Sequence, residues 1–174
     1  CFRVNGKKIF VLGTNWVPLD AFHSNDLKRL PKALEMVEDI GCNMLRCWGG
    51  NVYESDEFFD YCDEHGIMIW QDFGLGCAVY PEDEAFLNLL EQEAVYQIKR
   101  LRNHASLALW AGDNEIDIAH SWSGYRLDPN RNYINRTLLR RAVEAHDYFK
   151  PYLPSSPFIS EKAFNKEGIM PEEH

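Results

Sequence analysis

Leu107-Ala-Leu-Trp-Ala-Gly-Asp-Asn-Glu115 opens as a short apolar run and ends in polar residues. A run of that length, preceded by a helical pattern and bounded by turn residues, predicts a strand buried on both faces. In a parallel sheet the chemistry gathers just past the carboxyl ends of the strands. A glutamate there has apolar walls to raise its pKa and a cleft before its tip, as a general acid at neutral pH requires. An isolated Asn-Glu pair is more often part of a solvated loop, so the rest of the chain must decide.

Toward the amino terminus the same layout recurs. Asn5-Gly6 signals a hairpin, and Ile9-Phe-Val-Leu-Gly13 reads as a short strand ending at Thr14, Asn15 and Trp16. A helix is expected from about Pro31 to Ile40. Its stripe is Leu27, Leu30, Leu34, Val37 and Ile40, with Pro31 in the first turn and Gly41 after the last. Asn43-Met-Leu-Arg-Cys-Trp48 is the next strand, followed by Gly49-Gly50. Ser55 is placed to cap a helix with Phe58, Phe59 and Cys62 inward, closed by Gly66. Ile67-Met-Ile-Trp70 is a third strand, ending in Gln71-Asp72-Phe73. A long helix bearing Phe86, Leu90, Ala94, Ile98 and Leu101 leads to the strand that ends at Glu115.

Beyond Glu115 the pattern predicts a loop with Trp122, Gly124 and Pro129. A helix from Tyr133 to Phe149 follows, its inner face Ile134, Leu138, Ala142, Ala145 and Phe149. A fifth strand is expected near Tyr152–Ile159, and a polar loop over Lys162–His174. Alternating strands and helices demand a parallel sheet with right-handed crossovers, which a doubly wound sheet or a barrel satisfies equally.

The 174 residues carry a net charge of −9, with 45% hydrophobic and 13% aromatic residues. That composition supports a packed core and argues against nucleic acid or an anionic membrane as partner. No apolar run approaches a membrane span. The sequence opens with Cys1 rather than Met, so the lack of a visible signal peptide says nothing about compartment. The five cysteines form no Cys-x-x-Cys pair, and no His or Cys pair has zinc-ligand spacing. Most are expected to be small core residues, and neither metal nor cofactor is called for. Gly74-Leu-Gly76 lacks the third glycine of a dinucleotide fingerprint, where Val79 stands, and no Gly-x-Ser-x-Gly elbow occurs.

Four strands thus end in candidate site groups: Asn15-Trp16, Arg46-Trp48, Gln71-Asp72 and Asn114-Glu115. In a barrel these ends share one rim. A carboxylic acid, a fixed cation, amides and indoles together suit an uncharged, polyhydroxylated ligand. Trp70 and Trp110, inside strands, read as core. Asp56, Glu57, Asp60, Asp63 and Glu64 read as a solvated helix face, and His104 as a helix-end cap.

Arg46-Cys-Trp-Gly-Gly50, Val52-Tyr-Glu-Ser-Asp-Glu-Phe58, Trp70-Gln-Asp-Phe73 and Trp110 through Asn114-Glu115 resemble glycoside hydrolase family 2, and most of all its beta-mannosidase branch. Leu127-Asp-Pro129 and Pro154-Ser-Ser-Pro157 add to the likeness, which runs along nearly the whole chain. The resemblance implies a (beta/alpha)8 TIM barrel and hydrolysis of beta-glycosides with retention. It implies Glu115 as acid/base, Asn114 on the sugar 2-hydroxyl and Arg46 in support of the catalytic carboxylate. Trp48, Asp72 and Trp122 would line the terminal-sugar subsite, and Cys77 would approach it, although a buried thiol is the default. The implied partner is an oligosaccharide or glycoside, and the implied compartment is extracytoplasmic (periplasmic, secreted or lysosomal).

Three departures stand out. Asp113-Asn114-Glu115 replaces the family's Asn-Asn-Glu, so an extra carboxylate either tunes the acid or faces away. Asn103-His-Ala-Ser106 replaces Asn-His-Pro-Ser, a structural difference. A retaining enzyme also needs a second carboxylate about 5–5.5 Å from the first, and in the family it ends the seventh strand. Residues 1–174 are expected to hold about five beta/alpha units of one partial barrel domain, ending before that strand. Glu161, after Ser160, echoes the nucleophile motif but belongs to the loop after strand five. The expectation is a fragment without turnover of its own, with open sheet edges that favour self-association. Alternatives are another family 2 activity (galactosidase, glucuronidase or glucosaminidase) or a non-catalytic carbohydrate-binding half-barrel.

Overall fold

A computed structural model describes residues 1–122 and 127–165, with the side chains of residues 121 and 122 outside the described set. A small hairpin, β1 (Phe2–Val4) with β2 (Lys7–Ile9), comes first. Asn5 and Gly6 both take positive φ, 49° and 78°, the geometry a two-residue hairpin turn needs. The main body is a five-stranded parallel sheet. Its strands are β3 (Gly13–Trp16), β4 (Met44–Cys47), β5 (Met68–Asp72), β6 (Leu107–Ala111) and β7 (Tyr152–Leu153), in sequence order across the sheet. Sequential parallel order is what barrel units give, and it excludes the order reversal of a doubly wound sheet within these strands.

The crossovers are α1 (Asp26–Asp39), α2 (Asp56–His65) and α3 (Glu84–Leu101). After β6 come α4 (Ile116–Trp122), a π-helical turn (Ile134–Leu138) running into α5 (Leu139–His146), and, after β7, α6 (Glu161–Phe164). No helix among the described residues is long and apolar enough to cross a membrane.

Strand alternation divides the sheet into two faces, and a register shift between Ile69 and Trp70 brings Leu107 and Trp110 of β6 to the same one. Leu45, Cys47, Ile69, Leu107 and Trp110 pack against the helices, where Leu34, Phe58, Phe59, Ile98 and Leu101 complete the core. Trp110 is fully buried, stacks on Phe73 and donates its indole N–H to Asp147 Oδ2 at 2.9 Å. Truncating a core ring such as Phe58, 0% exposed, would cost about 3–5 kcal/mol. On the other face stand Arg46, Trp70 and Asp72. Met68, Trp70 and Leu109, with hairpin residues Phe2 and Ile9, line an open cavity of about 1100 Å³.

Several boundaries differ from the pattern. The first barrel strand is Gly13–Trp16, not Ile9–Gly13, and the apolar run before it is largely exposed, with Phe10 at 81%. Hydrophobic character marked the wrong residues there because this strand is made of Gly, Thr, Asn and Trp. Helix α1 starts at Asp26, so Pro31 lies inside it rather than in its first turn. An interior proline costs about 3 kcal/mol. The burial of Leu30, Leu34 and Val37 offsets that cost, and Pro31 itself faces solvent. Leu27, Ile40, Ala145 and Phe149, assigned to inner faces, are exposed. Residues 116–122, expected as loop, are helical, and the fifth strand is two residues long. Within the expected terminal loop, residues 162–164 belong to α6. Gly124 and residues 166–174 lie outside the described residues.

Candidate active site

Three adjacent strand ends build the site. Arg46 on β4 lies across the sheet from Asn15 on one side and Trp70 on the other. Its guanidinium stands 5.6 Å from the Trp70 ring centroid. Nη2 donates to Asp72 Oδ2 at 2.8 Å and to Asn114 Oδ1 at 3.0 Å, and Nε reaches Asp72 Oδ1 at 3.4 Å. The Asp72 side chain is 0% exposed. It also accepts from Trp70 Nε1 at 2.8 Å and from the Gly49 amide at 3.0 Å. Burial raises its pKa to about 6, against the lowering pull of Arg46 and these donors. Asp72 is thus enclosed by protein donors and fixes Arg46 rather than presenting a free carboxylate.

The chain beyond β6 continues the ladder. Asn114 bridges Gly76 on one side and Ser156 on the other. Its amide N–H donates to the Leu75 carbonyl at 2.9 Å, and the Glu115 amide donates to the Ser156 carbonyl at 3.0 Å. Glu115, half-buried, takes a left-handed φ of 63°, a conformation an ordinary side chain adopts only where its surroundings enforce it. Cys77, with φ 50°, faces it: Sγ lies 3.4 Å from Glu115 Oε2 and 3.3 Å from Asn114 Nδ2. Cys77 is exposed, so the default of a buried thiol is corrected here. Only Cys47 and Cys62 are buried, while Cys42 is half-buried and Cys1 exposed, so the expectation that most cysteines are core residues is also corrected; all five are free.

Asp113 faces away from the site. Fully buried, it accepts from the Ser155 hydroxyl, from Asn135 Nδ2 at 2.7 Å and from the Ile116 amide at 3.0 Å. Burial dominates and raises its pKa to about 7, and neighbouring Asp117 adds to the rise. Asp117 is itself held by Arg136 Nη2 at 2.6 Å and by the Ile159 amide at 2.8 Å. This network ties α4, the π-helical turn and the segment after β7 behind Glu115. No spacing announced it, since Asn135 and Ser155 lie 22 and 42 residues from Asp113.

The other candidates divide. Asn15 is exposed, and its Oδ1 lies 3.5 Å from Arg46 Nη1. Trp48, half-buried, lies against Gly50, where any Cβ would run into the indole. Trp16 turns to the core: it is 5% exposed, sits 5.0 Å from the Phe58 ring and donates to Glu54 Oε1 at 2.9 Å. Glu54, within the Val52–Phe58 stretch, is itself buried. The side chain of Trp122 lies outside the described residues. Trp70, assigned to the core, belongs to the site face. Glu161 is an exposed first-turn residue of α6, with Ser160 accepting from the Ala163 amide at 3.1 Å. Asp63 accepts from the Ser106 amide at 2.6 Å and pairs with His104 Nδ1 at 2.8 Å. Asp60 lies at 4.0 Å from the same nitrogen, so this cluster joins α2 to the turn before β6.

No family model matches the chain. It is 38% identical to the beta-mannosidase of Capra hircus over 181 aligned positions, covering 98% of this chain and 20% of that protein. To the Mus musculus beta-mannosidase it is 39% identical, with 97% and 20% covered. The solved beta-D-mannosidase of Dictyoglomus thermophilum superposes with a TM-score of 0.85 at 40% identity, over 95% of this chain and 21% of that one. A Bacteroides uniformis beta-glucuronidase, 18% identical with a TM-score of 0.70, shares the fold. The chain spans about a fifth of the length of the beta-mannosidases it matches. Over nearly its whole length it is therefore a homologue of one segment of the beta-mannosidases, and its fold matches part of a glycoside hydrolase family 2 barrel.

Proposed function

We propose that this segment carries the acid/base half of a retaining beta-glycosidase site for terminal, non-reducing beta-linked sugars, beta-mannosides above all. The observation that carries the reading is Glu115, held left-handed at a strand end beside Asn114 and the Arg46–Asp72 pair. Glu115 protonates the glycosidic oxygen as the bond breaks, then removes a proton from the water that releases the glycosyl-enzyme. Asn114 has its Oδ1 turned to Arg46, which leaves Nδ2 on the Cys77 side. In this reading Asn114 holds the sugar 2-hydroxyl, where hydrogen bonds strengthen at the transition state. Asn15 and Trp48 border the sugar.

The second carboxylate comes from a later strand of the barrel, so the 174-residue chain by itself has no turnover. The identity to beta-mannosidases supports mannose over the other family 2 sugars. The test is nitrophenol release from an aryl beta-mannoside by the chain, with Glu115→Gln beside it. No release from either agrees with the reading. Release that Glu115→Gln abolishes would place the nucleophile within this chain and make Glu161 the first residue to replace. Undiminished release by Glu115→Gln would refute the acid/base role. Sugar binding unaffected by that substitution, without turnover in any assembled barrel, would favour a binding module.

A further inference from the structure

We propose that Cys77 is a positioning residue for Glu115, its thiol bridging the Asn114 amide and the Glu115 carboxylate. The inference rests on the acid/base reading of Glu115 and adds a residue to it.

Three observations converge on the bridge. The sulfur lies within hydrogen-bonding range of both neighbours, 3.3 Å from Asn114 Nδ2 and 3.4 Å from Glu115 Oε2. Its position is set by the backbone, because the Cys77 amide donates to the Asn114 carbonyl at 2.8 Å and Gly76 bridges Asn114. Cys77 and Glu115 are both left-handed, at 50° and 63°, on neighbouring extensions of the sheet. Strain of this kind survives only where the surroundings over-determine it. Here it brings two side chains into contact.

The direction of each bond follows from the donors. Arg46 has only N–H groups to offer, so Asn114 must turn its oxygen to Arg46 and its NH₂ to the sulfur. The sulfur then accepts from Asn114, and its single proton is left for Glu115. Asp72, Arg46, Asn114, Cys77 and Glu115 form one chain of hydrogen bonds anchored on β4 and β5. Partial desolvation raises the thiol above its ordinary 9.0, the hydrogen bond to Glu115 and the negative charges of Glu115 and Asp113 add to the rise, and the Asn114 amide pulls the other way. The group therefore stays S–H at neutral pH and remains a donor.

The experiment uses the 174-residue chain. Iodoacetamide labelling is followed at Cys77 by peptide mass spectrometry over a range of pH, with exposed Cys1 as internal reference. Only the thiolate reacts. Replacing Glu115 by Gln removes the charge that holds the proton on sulfur, so Cys77 labels about three- to tenfold faster near pH 8 relative to Cys1. Glu115 is then observed directly by its ¹³Cδ resonance. Cys77→Ala moves that resonance, and Cys77→Ser, which retains a donor, restores it toward the wild-type position. A labelling profile unchanged by Glu115→Gln overturns the proposal. So does a Glu115 resonance indifferent to Cys77→Ala, or one moved equally by Ser and Ala. Neither readout involves a sugar, so hydrolysis undiminished by Glu115→Gln would refute the functional reading while leaving this contact to be judged separately.

Discussion

Replacing Asp113 by Asn changes one buried charge and little else. Asp113 is fully buried and its pKa is raised from 3.8 to about 7, chiefly by burial. The unfolded chain therefore loses the proton before the folded one does, and the folded state binds more protons between those values. Stability is then greatest below pH 3.8 for this group and falls as pH rises toward 7. Between pH 5 and pH 8 the linkage amounts to roughly 2.5–3 kcal/mol lost by the wild type. The amide of the Asp113→Asn variant does not titrate, and the contribution of Asp72 is common to both proteins and cancels in the comparison. That amide can still accept from the Ile116 amide and the Ser155 hydroxyl, although the bond from Asn135 is compromised, which lowers the variant by about 1 kcal/mol at every pH. Thermal unfolding across pH 5–8 is the assay. The Asp113→Asn curve should gain on the wild type by about 5–10 °C in melting temperature over that range, at roughly 2–4 °C per kcal/mol for a chain of this size. Parallel pH–stability curves would refute the assignment of Asp113 as a buried, proton-holding carboxyl.

Other outcomes follow from the same geometry. Arg46→Met strands Asp72, whose side chain is 0% exposed, and should destabilise the chain by about 3 kcal/mol in urea unfolding. The loss should be greater at pH 8 than at pH 5, because Asp72, already raised to about 6, then has only Trp70 and Gly49 to hold its charge. Equal losses at the two pH values would contradict the pairing. Gly112→Ala puts a Cβ into the Pro154 carbonyl and the Tyr152 hydroxyl, at a cost of about 2–3 kcal/mol. An unchanged urea midpoint would show that β6 and β7 are not so close.

The elements legible in the sequence were those with long periodic stripes. Helix α3 shows its buried Leu90, Ala94, Ile98 and Leu101 at steps of three and four, and Asp83 caps it by accepting from the Phe86 amide. Strands β4, β5 and β6 are short apolar runs that end where polar groups begin, which marked Arg46, Asp72 and Asn114-Glu115 together. Strand β3 was misplaced because its own residues are polar while the exposed Phe10 and Leu12 precede it. Helix α4 was missed because seven residues carry too little periodicity, and the Asp113 side chain that satisfies its first amide is recognisable only in three dimensions. The inward turn of Trp16 and the placement of the Cys77 thiol involve contacts with Glu54 and Glu115, 38 residues away in each case. Local pattern carries no record of such distances.

The proposed role of Glu115 as general acid/base of a beta-mannosidase site can be measured in a complete barrel. Residues 1–174 would replace their counterpart in the Dictyoglomus thermophilum beta-D-mannosidase, which they match over 95% of their length. Turnover of 4-nitrophenyl beta-mannoside would then be compared with and without Glu115→Gln. Hydrolysis by the chimera is expected, with a fall of about 10²–10⁴-fold in kcat on substitution. A chimera that hydrolyses the mannoside equally well with Gln at position 115 would contradict that role.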